Sequence, residues 1–366
     1  MMEEVFIRKC TQNLERDLSS LAHEIFTREA VQGKTIFLKP NWVNASPPET
    51  GVTTDIRVVR FLARSLKNMG AKRIIAGDGS IDNTSDVFQK LGVLELEKEG
   101  IEIVNLDECE TLPIKTPFHF VFETVRVPKC VMESDIVVSI PKIKTHETTL
   151  VTLSIKNFYG FLSKSQKRAG HISDIHLAIL DIYSAIEKHK TCHAVVDGMV
   201  GLEGRKGPII GAPVNLGLLI GARSLLACDI ICSKIMSQPP RKITHLDKLM
   251  KMRSLDPDEI SVMGEELQKV AKKFEMPPRV FNVKLGILVF LVDLFFKKTA
   301  YLANERKCVA CQNCIRVCPM QCISLGERIT FDYTHCINCL CCVEGCGYDA
   351  LDYKIRNEWF YRLLKR

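Results

Sequence analysis

The sequence predicts an α/β fold, a mostly parallel sheet flanked by helices, followed by a small α+β module built around cysteine. Three observations predict it. Short β-branched and aromatic runs alternate with longer helical patterns over residues 1–275, the mark of βα units and a largely parallel sheet. The residues least expected in a core, Lys39-Pro40-Asn41, Gly77-Asp78-Gly79, Pro141 to His146 and Asp197-Gly198, each fall just past one such run. Ten of the sixteen cysteines lie between Cys308 and Cys346.

Those cysteines form two runs: Cys308, Cys311, Cys314, Cys318 followed by Pro319, then Cys336, Cys339, Cys342, Cys346. Three-residue steps let successive thiolates wrap one corner of an iron–sulfur cube, while the fourth cysteine of each run reaches the neighbouring cube. The ligand sets expected are Cys308, Cys311, Cys314 and Cys346 for one 4Fe-4S cluster, and Cys336, Cys339, Cys342 and Cys318 for the other. Cys322 and Cys341 are left over. Zinc also uses paired C-x-x-C steps, but it closes with four ligands and rarely takes three even steps plus a cysteine before proline. A disulfide framework fits poorly, because six more cysteines are scattered through a long chain with no secretory signal. The segment resembles a bacterial-type two-cluster ferredoxin, with Gly347 where proline usually follows the last cysteine.

The 366 residues suggest about two domains, with 46% apolar residues for their cores. The boundaries expected are an α/β domain over 1–275, an apolar docking segment over 276–303, the two-cluster module over 304–352 and a basic aromatic tail over 353–366. Acidic residues stand near the start where a signal peptide is basic, so a cytoplasmic location is expected. The formal charge of +7 is modest, and no stripe of Lys and Arg interleaved with aromatics points to nucleic acid. The apolar run over 283–298 is too short to span a bilayer. It reads as a helix docking the cluster module, with peripheral membrane contact as the alternative.

Taken in order, the pattern predicts a strand at Val5–Ile7 and a helix carrying Leu14, Leu18, Leu21 and Ile25. A strand at Thr35–Leu38 follows. Asp55 caps the helix of Ile56 to Leu66, Arg73–Ala76 is the next strand, and Thr84 caps a short helix. Strands are expected at Ile101–Val104, Phe120–Val127 and Ile136–Ile140, a helix at Asp174–Lys188, strands at Ala194–Val196 and Leu216–Ile220, then a helix from Ser224. Residues 198–213, with five glycines and two prolines, read as a long shaped loop, and residues 241–275 as helical.

Loops leaving parallel strands converge at the carboxyl edge of the sheet, where ligands bind. The candidate site therefore gathers Lys39, Asn41, Lys142, Lys144, Lys156, Asn157 and Asp197 to bind a small anionic ligand, with His146 or Asp78 supplying a proton. Each has a plainer reading: solvated loop lysines, a turn aspartate between glycines, or Lys156 at a helix end. His171, Asp174 and His176 carry metal-binding atoms, but their spacing does not bring both histidines to one helix face.

Residues 38–43 (LKPNWV), Asp78 between glycines, 140–160 (IPKIKTHETTLVTLSIKNFYG), the histidine-containing 171–176, 197–208 (DGMVGLEGRKGP) and 227–229 (ACD) resemble domain-of-unknown-function family 362. Many of its members also carry a ferredoxin module. The family has no single established activity, so the resemblance implies the domain pairing and the site location without a substrate. Cysteine-held cubes pass single electrons. The function expected is a reductase, a ferredoxin-dependent oxidoreductase passing low-potential electrons from an external donor through two 4Fe-4S clusters to an anionic substrate or cofactor. An electron-carrier module docked on a partner enzyme, or a helper that loads metal or clusters, are the alternatives. No flavin, nicotinamide or radical-SAM signature is present, though a further unidentified cofactor binds without a motif in some sites.

Overall fold

In the computed structural model, residues 3–278 and 298–355 are described. The α/β body holds β1 (Glu4–Lys9), β2 (Thr35–Pro40), β3 (Arg73–Asp78), β4 (Glu102–Asn105), β5 (Thr111–Lys115), β6 (Thr124–Pro128), β7 (Ile136–Ile140), β8 (Lys142–His146), β9 (Leu150–Thr152), β10 (Thr191–Glu203), β11 (Ala212–Ala222) and β12 (Ser261–Gly264). All but the β5–β6 hairpin join one sheet in the order β12-β1-β11-β10-β7-β2-β3-β4, with β8 added beside the far end of β10 and β9 beside β8. Pairing is parallel from β10 through β7, β2 and β3 to β4, and antiparallel where β11 meets β10 and β1. The fold is α/β with a mostly parallel sheet.

Central strands buried on both faces lose the polar alternation of an edge strand. Thus Ile36 and Leu38 of β2 pack with Leu18, Leu21, Val59 and Leu62 from the helices Leu14–Ile25 and Ile56–Asn68 on one face. Phe37 faces the other core, shared with the helices Ile175–Glu187 and Leu225–Ile235. The amphipathic helix starts are capped as their sequences suggest: the Asp55 carboxylate accepts from the Arg57 N–H at 2.8 Å, and Asp174 and Ser224 cap theirs.

Several expectations are corrected. Asn83, not Thr84, caps the helix Thr84–Leu91. Residues 120–122 are not strand, because the Asp181 carboxylate takes their three backbone N–H groups at 3.1, 2.7 and 2.9 Å; β6 starts only at Thr124 and pairs with β5, which the pattern did not signal. Residues 142–146 are strand β8 where a loop was expected. Within 241–275, helix runs only over Thr244–Arg253 and Leu267–Val270, and Ser261–Gly264 pairs with β1.

The glycine-rich stretch is corrected too. Most of 198–203 continues β10, whose register shifts between Gly198 and Val200. Its glycines make room for neighbouring backbone: a Cβ on Gly207 would stand 2.1 Å from the Thr145 carbonyl oxygen, and one on Gly211 2.1 Å from that of Glu203. Close approach is here to the chain itself.

The C-terminal unit is α+β: β13 (Lys298–Leu302) pairs with β16 (Leu351–Ile355), and β14 (Ile323–Leu325) with β15 (Ile329–Phe331). Short helices Asn313–Val317 and Cys341–Glu344 lie between. Of the expected docking segment 276–303, residues 279–297 lie outside the described residues, as does the tail after Ile355. Among the described residues no helix is long and apolar enough to cross a membrane.

Candidate functional site

Lys39 and Asp78 end the adjacent parallel strands β2 and β3, so their side chains meet above the sheet. Lys39 Nζ lies 2.5 Å from Asp78 Oδ1, both buried. The same carboxylate accepts from the Trp42 N–H at 2.6 Å and the Gly79 N–H at 2.8 Å. Asp78 is thus held by one ammonium and two amides. Its geometry fits fixing Lys39 better than giving up a proton.

Lys142 and Asp197 form a second buried pair, at 3.1 Å. Asp197 lies within β10, not past its end, in register with Lys142 of β8. It also accepts from the Asp55 N–H at 2.9 Å, tying the start of the Ile56–Asn68 helix to the site. Asn157 donates to the Lys39 carbonyl at 2.8 Å and receives Asn41 Nδ2 at 3.4 Å. The short helix Ser154–Asn157 that carries Lys156 and Asn157 is itself anchored by buried Asp229, which accepts the Ser154 and Ile155 N–H groups at 2.7 and 2.9 Å. The structure therefore brings Lys39, Asn41, Asp78, Lys142, Asn157 and Asp197 into one connected array.

The remaining cations are held differently. Buried Lys144 donates to the Val52 carbonyl at 2.7 Å, and burial, with Lys156 and Lys142 nearby, pushes its ammonium well below the usual range. Half-buried Lys156 rests over the Tyr159 ring at 5.9 Å; burial pushes it down to about 8 against the pull of Glu344. His146 Nδ1 accepts the Thr148 and Thr149 N–H groups at 3.2 and 3.4 Å. The ring is therefore neutral with its proton on Nε2, and burial holds its pKa well below the histidine range.

The cysteine-rich unit closes over this array. Glu344 Oε1 lies 3.2 Å from His146 Nδ1 and accepts from the Thr148 hydroxyl at 2.6 Å. Lys298 pairs with buried Glu147, Lys206 with Asp349 at 2.6 Å, and Asn313 Nδ2 reaches Asp82 Oδ1 at 2.5 Å. No sequence signal marked Glu344, because its partner is set by docking.

A family model described as Domain of unknown function (DUF362) matches residues 36–234 of the 366. The chain belongs to this family. The match spans β2 to the helix Leu225–Ile235 and so contains every residue of the array, while Glu344 lies outside it. A thylakoid-associated protein of Synechocystis sp. is 25% identical over 215 residues, which cover 58% of this chain and 65% of that one. The pyruvate synthase subunit PorD of Methanocaldococcus jannaschii is 37% identical over 59 residues, 16% of this chain and 67% of PorD; this short match supports the ferredoxin-type reading of the C-terminal unit. The lactate racemase apoprotein of Thermoanaerobacterium thermosaccharolyticum aligns at 13% identity with a TM-score of 0.42, over 63% of this chain and 57% of that one.

Beyond the DUF362 match, the cysteines ring two cavities. One, of about 340 Å³, is lined by Cys308, Cys311, Cys314 and Cys346. The other, of about 330 Å³, is lined by Cys318, Cys336, Cys339, Cys342 and the leftover Cys322. Cys322 Sγ lies 3.5 Å from Cys318 Sγ; Cys341 lines neither cavity. The two runs share a backbone pattern: left-handed residues fall at Ala310 and Gln312 in one, and at the equivalent Asn338 and Leu340 in the other. Such alternation turns successive N–H groups inward as an anion-binding nest, a feature of many iron–sulfur sites. A zinc ion would instead draw four sulfurs to ~2.3 Å of one point. Cysteine thiolates ringed in this way are the ligands that iron–sulfur groups take.

Proposed function

We propose that this protein is an iron–sulfur electron-transfer protein, a reductase whose cysteine-rich unit feeds an anionic acceptor bound in the α/β array. Two 4Fe-4S clusters, held by Cys308, Cys311, Cys314 and Cys346 and by Cys318, Cys336, Cys339 and Cys342, would supply single electrons. The observation that carries this reading is the pair of cysteine-ringed cavities with matched left-handed backbones, set directly against the buried array. An external carrier delivers the electrons in this reading.

In the array, Lys144 and Lys156 attract the acceptor's negative charge, and low dielectric strengthens that attraction. The Lys39–Asp78 and Lys142–Asp197 pairs are already satisfied, so they orient the strand ends and Asn157 without binding the acceptor themselves. His146, with its proton on Nε2 and Nδ1 fixed by two backbone N–H groups, is the group placed to hand over a proton. Asp78 serves to position Lys39.

The test is anaerobic purification or reconstitution, with iron and sulfide analysis and EPR before and after dithionite. About eight irons and reducible cubane signals are expected; material that takes up zinc alone, with its thiols intact, overturns the reading.

A further inference from the structure

The two cysteine runs repeat at a constant offset of 28 residues, Cys308 matching Cys336 and Cys318 matching Cys346. The backbone repeats with them: left-handed residues stand at Ala310, Gln312 and Gln321 in the first run and at Asn338, Leu340 and Asp349 in the second. The residue after the last of these is Cys322 in one run and Ala350 in the other. Cys322 lines the cavity of Cys318, Cys336, Cys339 and Cys342, and Ala350 lines that of Cys308, Cys311, Cys314 and Cys346. One position of the repeat therefore carries a thiol at one cavity and a methyl group at the other.

Cys322 is buried, with its Sγ 3.5 Å from Cys318 Sγ, and its thiol is also in hydrogen-bond contact with Cys336. A cysteine that ligates iron is a thiolate with no proton to give, so of this pair only Cys322 can donate. A thiol off the metal keeps its proton at neutral pH, its ordinary pKa being about 8.5. An S–H aimed at a ligand sulfur stabilises the more negative, reduced form of a cluster more than the oxidised one, and so raises its reduction potential. At the matching position of the first cavity the donor is the Ala350 backbone N–H, 3.3 Å from Cys346 Sγ, and the side chain offers none.

The loop of the second run is also the more covered. The Thr148 hydroxyl donates to the Cys339 carbonyl at 3.5 Å, and Cys339 is half-buried and Leu340 buried where their counterparts Cys311 and Gln312 are exposed. The cavity with the extra thiol thus adjoins the lysine-rich array. We propose that Cys322 is a tuning residue and not a ligand: its thiol donates a hydrogen bond to the Cys318 sulfur, so that the 4Fe-4S cluster of Cys318, Cys336, Cys339 and Cys342 takes up an electron at a higher potential than alanine there would allow. This rests on the electron-transfer reading above and adds to it a residue that holds the electron on the array side. One electron leaves the cluster of Cys308, Cys311, Cys314 and Cys346, which is oxidised, and reduces the other; no bond breaks and the thiol keeps its proton.

The experiment is an anaerobic redox titration of the full-length holoprotein followed by EPR, on the parent, Cys322→Ala and Cys322→Ser. Cys322→Ala is expected to keep about eight irons and to weaken the reduction of one cluster about tenfold, which is ~59 mV for a one-electron couple. The signal that moves is the one missing from Cys342→Ser, and the other midpoint stays where it is. Cys322→Ser, which retains a donor, restores most of the shift. An unmoved midpoint in Cys322→Ala overturns the proposal, as does a Cys322→Ser shift equal to that of Cys322→Ala. Loss of about four irons from Cys322→Ala makes Cys322 a ligand and overturns it as well. Iron and sulfide analysis of the parent judges the electron-transfer reading separately: a parent rich in iron with an unmoved midpoint overturns the tuning alone, and a parent without iron overturns both.

Discussion

The Nδ1 of His146, on β8 of the family domain, and the Oε1 of Glu344, on the helix that follows Cys342, lie 3.2 Å apart in a buried junction. Through this pair and the 2.6 Å bond from Thr148 to Glu344, the cysteine-rich unit becomes one wall of the lysine-rich array. The cysteine-rich unit and the lysine-rich array are thereby adjacent.

Glu344→Ala removes the acceptor of the Thr148 hydroxyl and opens this wall. Leaving such a buried group unpaired costs about 1–3 kcal/mol. The expected outcome is a lower denaturation midpoint with iron content unchanged, and Glu344→Gln is milder because it keeps the shape.

Lys39 and Asp78 offer a sharper test of the array. Removing either partner strands a buried charge, so Lys39→Met and Asp78→Asn are each expected to destabilise by about 3–5 kcal/mol. The double variant is expected to lose clearly less than the sum, as a guanidinium-denaturation cycle would reveal.

The crossing of cysteines between clusters is testable by iron counting. Cys342→Ser and Cys318→Ser are expected to remove the same cluster, and Cys346→Ser the other, each leaving about four of eight irons. EPR of the reduced variants identifies which signal survives. If Cys346→Ser and Cys342→Ser abolish the same signal, the ligand sets are wrong.

Two buried groups set opposite pH dependences. Burial holds His171 down to about 4, below the ~6.5 of a free ring. The unfolded chain then takes up a proton that the folded one refuses, so the stability from the neutral ring is complete above about pH 6.5 and is lost as pH falls toward 4. Burial raises Asp229 to about 7, so its contribution is complete below about pH 3.9 and is lost as pH rises through 7. Thermal melts of His171→Gln and Asp229→Asn are expected to flatten the acid and neutral limbs respectively.

Strands buried on both faces were legible, since Ile36 to Leu38 and Ile136 to Val138 carry unbroken apolar runs that no surface element tolerates. Strand β8 was not, because Lys142, Lys144 and His146 read as a solvated loop. Their charges go inside only because Asp197 and the Val52 carbonyl stand waiting on segments distant in sequence. Residues 120–122 failed for the complementary reason: a carboxylate on a remote helix took the N–H groups that a strand partner would have used.

The sequence by itself determined the cysteine grammar, the βα alternation and the set of lysines, histidine and carboxylates from which a site is built, because three-residue steps and apolar periods are local geometry. Only the tertiary structure decided which partner each lysine meets, and that Glu344 faces His146. Those outcomes depend on which charges are buried together, and the large cost of burying a charge alone makes the choice of partner a property of the whole fold.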